Sequence, residues 1–238
     1  LELIFPGVWK EVESRFDECL PAFQHRTFLT CVSEHDPSED KYGRLSMWRA
    51  YGGSSGVALV LNSQVFTSPT VAMELYSSPV SYSDAGRFLT EFDRVAENVR
   101  TESSFLATQE REHLTHYLFN MLRFAAICTK HPGFEEEREW RVIHTRGLDS
   151  DRRLKIEVES VRGIPQHVIK IPLENVPEEG FYGAAIPDLI DRIIIGPTEF
   201  DSALYHAFIE LLEKANVPDA AARIVISNIP VRVSKERG

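Results

Sequence analysis

Apolar residues recur at intervals of three and four over four stretches of this chain, and they alternate or cluster over shorter runs between them. Val8, Val12, Phe16 and Leu20 repeat every four residues. That spacing predicts a helix with one buried stripe, opening near Pro6 and ending at Pro21. Phe88, Leu89, Phe92, Val95, Ala96 and Val99 predict a second helix. Leu114, Tyr117, Leu118, Met121, Leu122, Ala125 and Cys128 predict a third, cut off by His131-Pro132-Gly133. Leu204, Phe208, Leu211 and Leu212 predict a fourth near Ser202–Lys214. Leu45–Tyr51 reads as a short helix, and Gly52-Gly53-Ser54-Ser55-Gly56 as a turn. β-branched and apolar runs predict strands at Thr27–Val32, Val57–Leu61, Val71–Tyr76, Val80–Tyr82, Trp140–Thr145, Ile156–Val161, Val168–Ile171, Ile193–Ile195 and Arg223–Ile226. The helices fall between clusters of strands. The expected fold is therefore α+β: a single domain over residues 1–238, with a mixed, mainly antiparallel sheet core flanked by helices.

Length and composition narrow the function classes. At 238 residues, with 43% hydrophobic and 26% charged residues, the chain can bury a sizeable core. A net charge of −10 disfavours nucleic acid as a partner, because phosphate backbones are bound through a basic footprint. There is no apolar run of about 18 residues and no secretory signal, so no membrane span is expected. Cys19, Cys31 and Cys128 are odd in number and far apart. They suggest neither a disulfide framework nor a zinc site, which fits a reducing, cytoplasmic setting. The first residue is Leu rather than Met, so the natural N-terminus is expected to lie further upstream.

The densest candidate chemistry is His131–Arg141, His-Pro-Gly-Phe-Glu-Glu-Glu-Arg-Glu-Trp-Arg. Pro132 and Gly133 break the preceding helix, and His131 is expected to cap its end. The alternation after Glu137 reads as a strand. Period-two logic puts Glu137, Glu139 and Arg141 on one face and Trp140 and Val142 on the other. A sheet face carrying acid, acid and base suits a polar cleft floor, and equally a solvent-facing edge. Cys31-Val32-Ser33 and Met47-Trp48-Arg49-Ala50-Tyr51 can form a pocket wall, with Ser33 at a strand end and Trp48 or Tyr51 as stacking aromatics. A core Trp under a sheet is the competing reading. The Gly52–Gly56 loop could offer N–H groups to a phosphate, although it matches no nucleotide-binding fingerprint and a plain loop explains it. Gly196-Pro197-Thr198 reads as a capped turn. The acids of 135–139 lack metal-spaced partners, so no metal is expected. Cys31, Ser33 and His35 are neighbours in sequence without forming a nucleophilic set.

Six segments together resemble the landmarks of an uncharacterised bacterial family, domain of unknown function 2971. They are Thr30–Ser33, Met47–Gly52, Gly56–Val60, His131–Arg141, Ile195–Thr198 and Ser227–Arg232. Members of that family usually open with a further segment upstream, which this chain lacks. That opening is similar to the first strand of ADP-ribosyltransferases, where a His or Arg grips the adenosine-side ribose of NAD. The resemblance implies an ADP-ribosyltransferase-like fold and NAD as cofactor. Glu139 would be the late catalytic acid, Trp48 or Tyr51 would stack on nicotinamide, and Arg49 or Arg141 would pair with the pyrophosphate. It further implies an NAD-dependent transferase or glycohydrolase, of the kind found among toxins and phage-defence effectors. The alternative is a non-catalytic module on the same scaffold, binding a small nucleotide or a protein partner.

Overall fold

The apolar stripe that opens near Pro6 folds as helix α1 (Pro6–His25), longer than the sequence suggests. In chain order there follow β1 (Thr27–Ser33), β2 (Val57–Leu61), β3 (Tyr76–Pro79), β4 (Ser81–Tyr82), α2 (Ala85–Thr101) and α3 (Arg111–Ile127). Then come β5 (Thr129–Lys130), β6 (Glu139–Thr145), β7 (Lys155–Val161), β8 (Ile164–Lys170), β9 (Ile190–Ile195), α4 (Asp201–Lys214) and β10 (Ile224–Ile226), with short helical turns between them. The computed structural model describes residues 1–68, 70 and 72–230. The arrangement is α+β, and it divides into two compact units, Leu1–Ser33 with Glu74–Ile169 and Glu34–Met73 with Lys170–Gly238.

In the first unit an antiparallel sheet runs in the order β1-β6-β3. Ser33 lies opposite Glu139, Cys31 opposite Arg141, and Thr27 opposite Thr145. Ser78 also lies opposite Arg141, from the other side. Helices α1 and α3 pack through Val12, Leu114, Leu118 and Phe119. Helix α1 does not stop at Pro21. It runs on to His25, which places Phe23 with ring centroids 5.3 Å from Phe16 and 6.2 Å from Phe119. Aromatic packing offsets the hydrogen bond that Pro21 cannot donate.

A buried ion pair ties α3 to the sheet. Arg123 donates to both oxygens of Asp149 (2.8 and 2.5 Å) and to Thr145 Oγ1 (2.9 Å). Its guanidinium also lies 5.2 Å from the Tyr76 ring centroid. Strands β7 and β8 form a separate two-stranded hairpin.

In the second unit β10 and β9 are parallel, and β2 pairs antiparallel with β9. Ile193, Ile195, Leu212, Val217 and Ile224 form its core against α4. Strand β2 is half-buried, and Leu59 faces outward. The run expected to be a strand over Val71–Tyr76 is extended only from Tyr76. Ala72 and Met73 are buried in a turn, and Glu74, at φ 52°, breaks the extended backbone. Val71 lies outside the described residues, as do Val231 and Arg232 of the last family landmark. No described helix is long and apolar enough to cross a membrane.

Candidate functional site

Strand β6 begins at Glu139 because the turn before it closes on itself. His131 Nδ1 accepts from Gly133 N at 3.1 Å and caps the 3-10 turn Pro132–Glu137. It thus starts the next element instead of ending α3, which stops at Ile127 before β5 intervenes. Arg138 takes the left-handed conformation (φ 45°) and turns the chain into the strand. Glu139 N donates to Tyr82 Oη at 2.7 Å, fixing the strand's first residue.

Glu139 is 7% exposed, and its carboxylate is enclosed by donors. Arg141 Nε donates to Oε1 at 2.7 Å, and Lys130 Nζ donates to Oε2 at 2.8 Å. The Cys31 thiol donates to the same carboxylate. Lys130 also pairs with Glu137, and Arg141 donates to the Ile127 carbonyl. Burial alone would raise the Glu139 pKa. The hydrogen bonds from Cys31, Lys130 and Arg141 outweigh it and hold the group at about 2. Burial works against the charge on Lys130, but Glu137 and Glu139 raise its pKa above the ordinary lysine value. The Cys31 thiol is pushed up to about 11, first by burial and then by Glu139. Two acids and two bases thus form a network of zero net charge.

The period-two reading of this strand is correct about who shares a face: Glu137, Glu139 and Arg141 all meet there. The solvent-facing edge does not describe this face at Glu139, which is 7% exposed. Ile143 and Thr145, on the same face as Glu139, are fully buried. Helix α3 covers that face, with the Phe124 ring 5.2 Å from Tyr76. Trp140 and Val142, on the other face, are half-buried.

The remaining candidates divide between the two units. Ser33, at the end of β1, donates to the Glu137 carbonyl and is part of the Glu139 neighbourhood. Trp48, Arg49 and Tyr51 lie in the second unit, on a short π-helix, Trp48–Gly52. Trp48 is buried, and its Nε1 donates to the Tyr42 carbonyl at 2.8 Å. Its ring presses on Gly43 and Gly196, where an added Cβ would lie 2.6 and 2.8 Å from it. Gly196 N in turn donates to Gly56 O, and Ser227 N donates to Ile195 O. Four of the segments singled out in the sequence are therefore linked through Gly196 and Ile195, and Gly196 in turn abuts the buried indole of Trp48. Arg49 and Tyr51 are exposed, Tyr51 at 66%. In the Gly196-Pro197-Thr198 segment Thr198 Oγ1 accepts from Phe200 N at 3.1 Å, but helix α4 itself, with Phe200 at its N-cap, has no side-chain cap.

Two residues that hold Glu139, Lys130 and Tyr82, were not singled out from the sequence; Cys31 was, as part of a pocket wall, but not as a partner of Glu139. Lys130 could have been found, because it lies nine residues before Glu139 across a Pro-Gly break that folds the chain back. Tyr82 and Cys31 arrive through long-range pairing and leave no local signal. Among the described residues no group of three or more His, Cys, Asp or Glu gathers as metal ligands.

Residues 47–142 match the model of a family described as a protein of unknown function, DUF2971. The matched span includes Trp48, Arg49, Tyr51, Glu139 and Arg141. No curated protein and no solved structure matches the chain.

Proposed function

We propose that this protein is an NAD-binding, ADP-ribosyltransferase-like protein in which Glu139 serves as a fixed negative charge rather than as a proton acceptor. The observation that carries this reading is the pair of cationic donors on the buried Glu139 carboxylate, Lys130 Nζ at 2.8 Å and Arg141 Nε at 2.7 Å, which keep it ionised. A carboxylate held at about 2 is charged at any physiological pH and is a weak base. Such a group is preorganised to stabilise positive charge that develops on a ribose when its bond to nicotinamide weakens. Arg141, fixed beside it at 2.7 Å, is the candidate to hold an anionic part of the same ligand. Ser33, opposite Glu139 in the ladder, supplies a hydroxyl at the strand end.

A second reading is favoured by the same geometry. Both Glu139 oxygens are already occupied by Lys130 and Arg141. A non-catalytic module, with this cluster as an internal brace, accounts for that saturation directly. Incubating the purified chain with NAD and measuring free nicotinamide separates the two. Release that disappears in Glu139→Gln supports the catalytic reading. Absence of release, or release unchanged in that variant, removes Glu139 from the chemistry and leaves the brace.

A further inference from the structure

Strand β1 is the outer strand of the sheet β1-β6-β3, and among the described residues no strand pairs with its far edge. Leu29, Thr30 and Cys31 are all exposed, Leu29 at 45%. Successive side chains of a strand point to opposite faces, so three exposed neighbours leave both faces open at this edge. The ladder fixes which backbone groups look outward. Arg146 N donates to Arg26 O, so by alternation Phe28, Thr30 and Val32 bond to β6. Leu29 and Cys31 turn their N–H and C=O groups away from the sheet. Sheet edges are ordinarily blunted by charge, proline, a bulge or brevity. The opposite edge of this sheet follows that rule. Strand β3 has four residues and ends in Pro79, and because Val80 N donates to Glu139 O, the N–H that Pro79 lacks falls on the outer side. Strand β1 has seven residues, no charge, no proline and an unbroken register with β6.

The order of residues in β1 says what can pair with it. Thr-Phe-Leu-Thr-Cys-Val-Ser has the same chemistry read in either direction about Thr30: Leu29 matches Cys31, Phe28 matches Val32, and Thr27 matches Ser33. Apolar therefore meets apolar, and hydroxyl meets hydroxyl, when a second copy runs antiparallel about a two-fold axis at Thr30. The same axis sets Arg26, just before the strand, opposite Glu34, just after it, and both are exposed. Opposite charges then meet at both ends. The hydrogen-bonding pattern agrees. Leu29 and the partner's Cys31 both face outward, so they exchange two backbone bonds, and the symmetry repeats them. An axis moved one residue either way sets Phe28 or Val32 against Thr30 and loses the match of Arg26 with Glu34.

We propose that the open edge of β1 is a homodimer interface, in which two copies pair antiparallel about Thr30 and join their sheets into one. The test is sedimentation equilibrium of wild type, Thr30→Lys and Thr30→Glu, alone and mixed. Thr30 is exposed, so neither substitution disturbs the core of the protomer, and melting curves check this. Wild type is expected to dimerise. Each variant alone sets two like charges opposite each other and should associate about tenfold or more weakly. An equimolar mixture of the two variants should restore dimers, since each new charge then faces its opposite. Hydrogen exchange locates the contact: the Leu29 and Cys31 amides should be protected in wild-type dimers and exchange fast in Thr30→Lys. A wild-type chain that stays monomeric up to about 1 mM overturns the proposal and leaves the edge to a strand of another protein. Dimerisation undiminished in both variants overturns it too, as do unprotected Leu29 and Cys31 amides in the dimer. A mixture no better associated than its components overturns the pairing about Thr30.

Discussion

Lys130 Nζ lies 2.8 Å from Glu139 Oε2 and also pairs with Glu137, so one ammonium staples strand β5 to the first residue of β6. Removing one member of a buried pair leaves the other charged and undersolvated. Lys130→Met is therefore expected to destabilise the protein by about 3 kcal/mol, and Glu139→Gln by a comparable amount. The double variant should cost clearly less than the sum. Urea titration of the four proteins checks this. Strict additivity would mean that the two side chains do not depend on each other.

Acid should unfold the protein through Glu139. Its folded pKa of about 2 lies below the ordinary carboxyl value of 4.5. A depressed carboxyl contributes stability that is fully present above the unfolded value and is lost as pH falls through the folded one. The window is therefore from about 4.5 down to about 2, and the contribution is on the order of 3 kcal/mol. Stability measured against pH in wild type and Glu139→Gln should converge below that window and diverge above it. Parallel curves would contradict it.

Cys31 is exposed yet poorly ionised, its thiol pushed up to about 11 by burial of the sulfur and by the Glu139 carboxylate. Alkylation follows the thiolate fraction, so iodoacetamide should label Cys31 slowly at pH 8. Glu139→Gln removes one of the causes and should speed labelling several-fold at the same pH. Mass spectrometry of the Cys31 peptide gives the rates. Equal rates would mean that the thiol does not bond to Glu139.

Gly196 is where a side chain would strike Trp48. An added Cβ lies 2.8 Å from the indole and 2.9 Å from the Gly56 carbonyl. Gly196→Ala should cost about 2 kcal/mol or more through overpacking, and Trp48→Phe in the same chain should recover part of it. Thermal melts of the single and double variants check this. A harmless Gly196→Ala would remove Trp48 from the role of core indole.

What the sequence revealed here depended on the range of the interactions. The stripes of α2, α3 and α4 and the strands β1, β2 and β6 are written in local periodicity, and their spans are close to those expected. Pro21 misled because a proline's local penalty is known while the packing of Phe23 on Phe119, 96 positions away in the chain, is not. Val71–Tyr76 misled because apolar residues bury equally well in a turn. At the candidate site, periodicity correctly grouped Glu137, Glu139 and Arg141. It could not say whether their face meets water or a helix, since α3 covers it through residues such as Phe124 and Ile127. The pairing of Trp48 with Gly43 and Gly196 was similarly silent, because glycine signals freedom in sequence and close approach only in space.

The titration of Glu139 itself is the sharpest test. Selective 13C labelling of glutamate carboxyls, with Glu139 assigned by its Gln variant, lets its midpoint be followed directly by NMR. A midpoint near 2, with the signal unchanged between pH 5 and 8, is the result expected of a permanently charged, enclosed carboxylate. A midpoint at or above the ordinary glutamate value of 4.5 would contradict both the fixed charge and the brace.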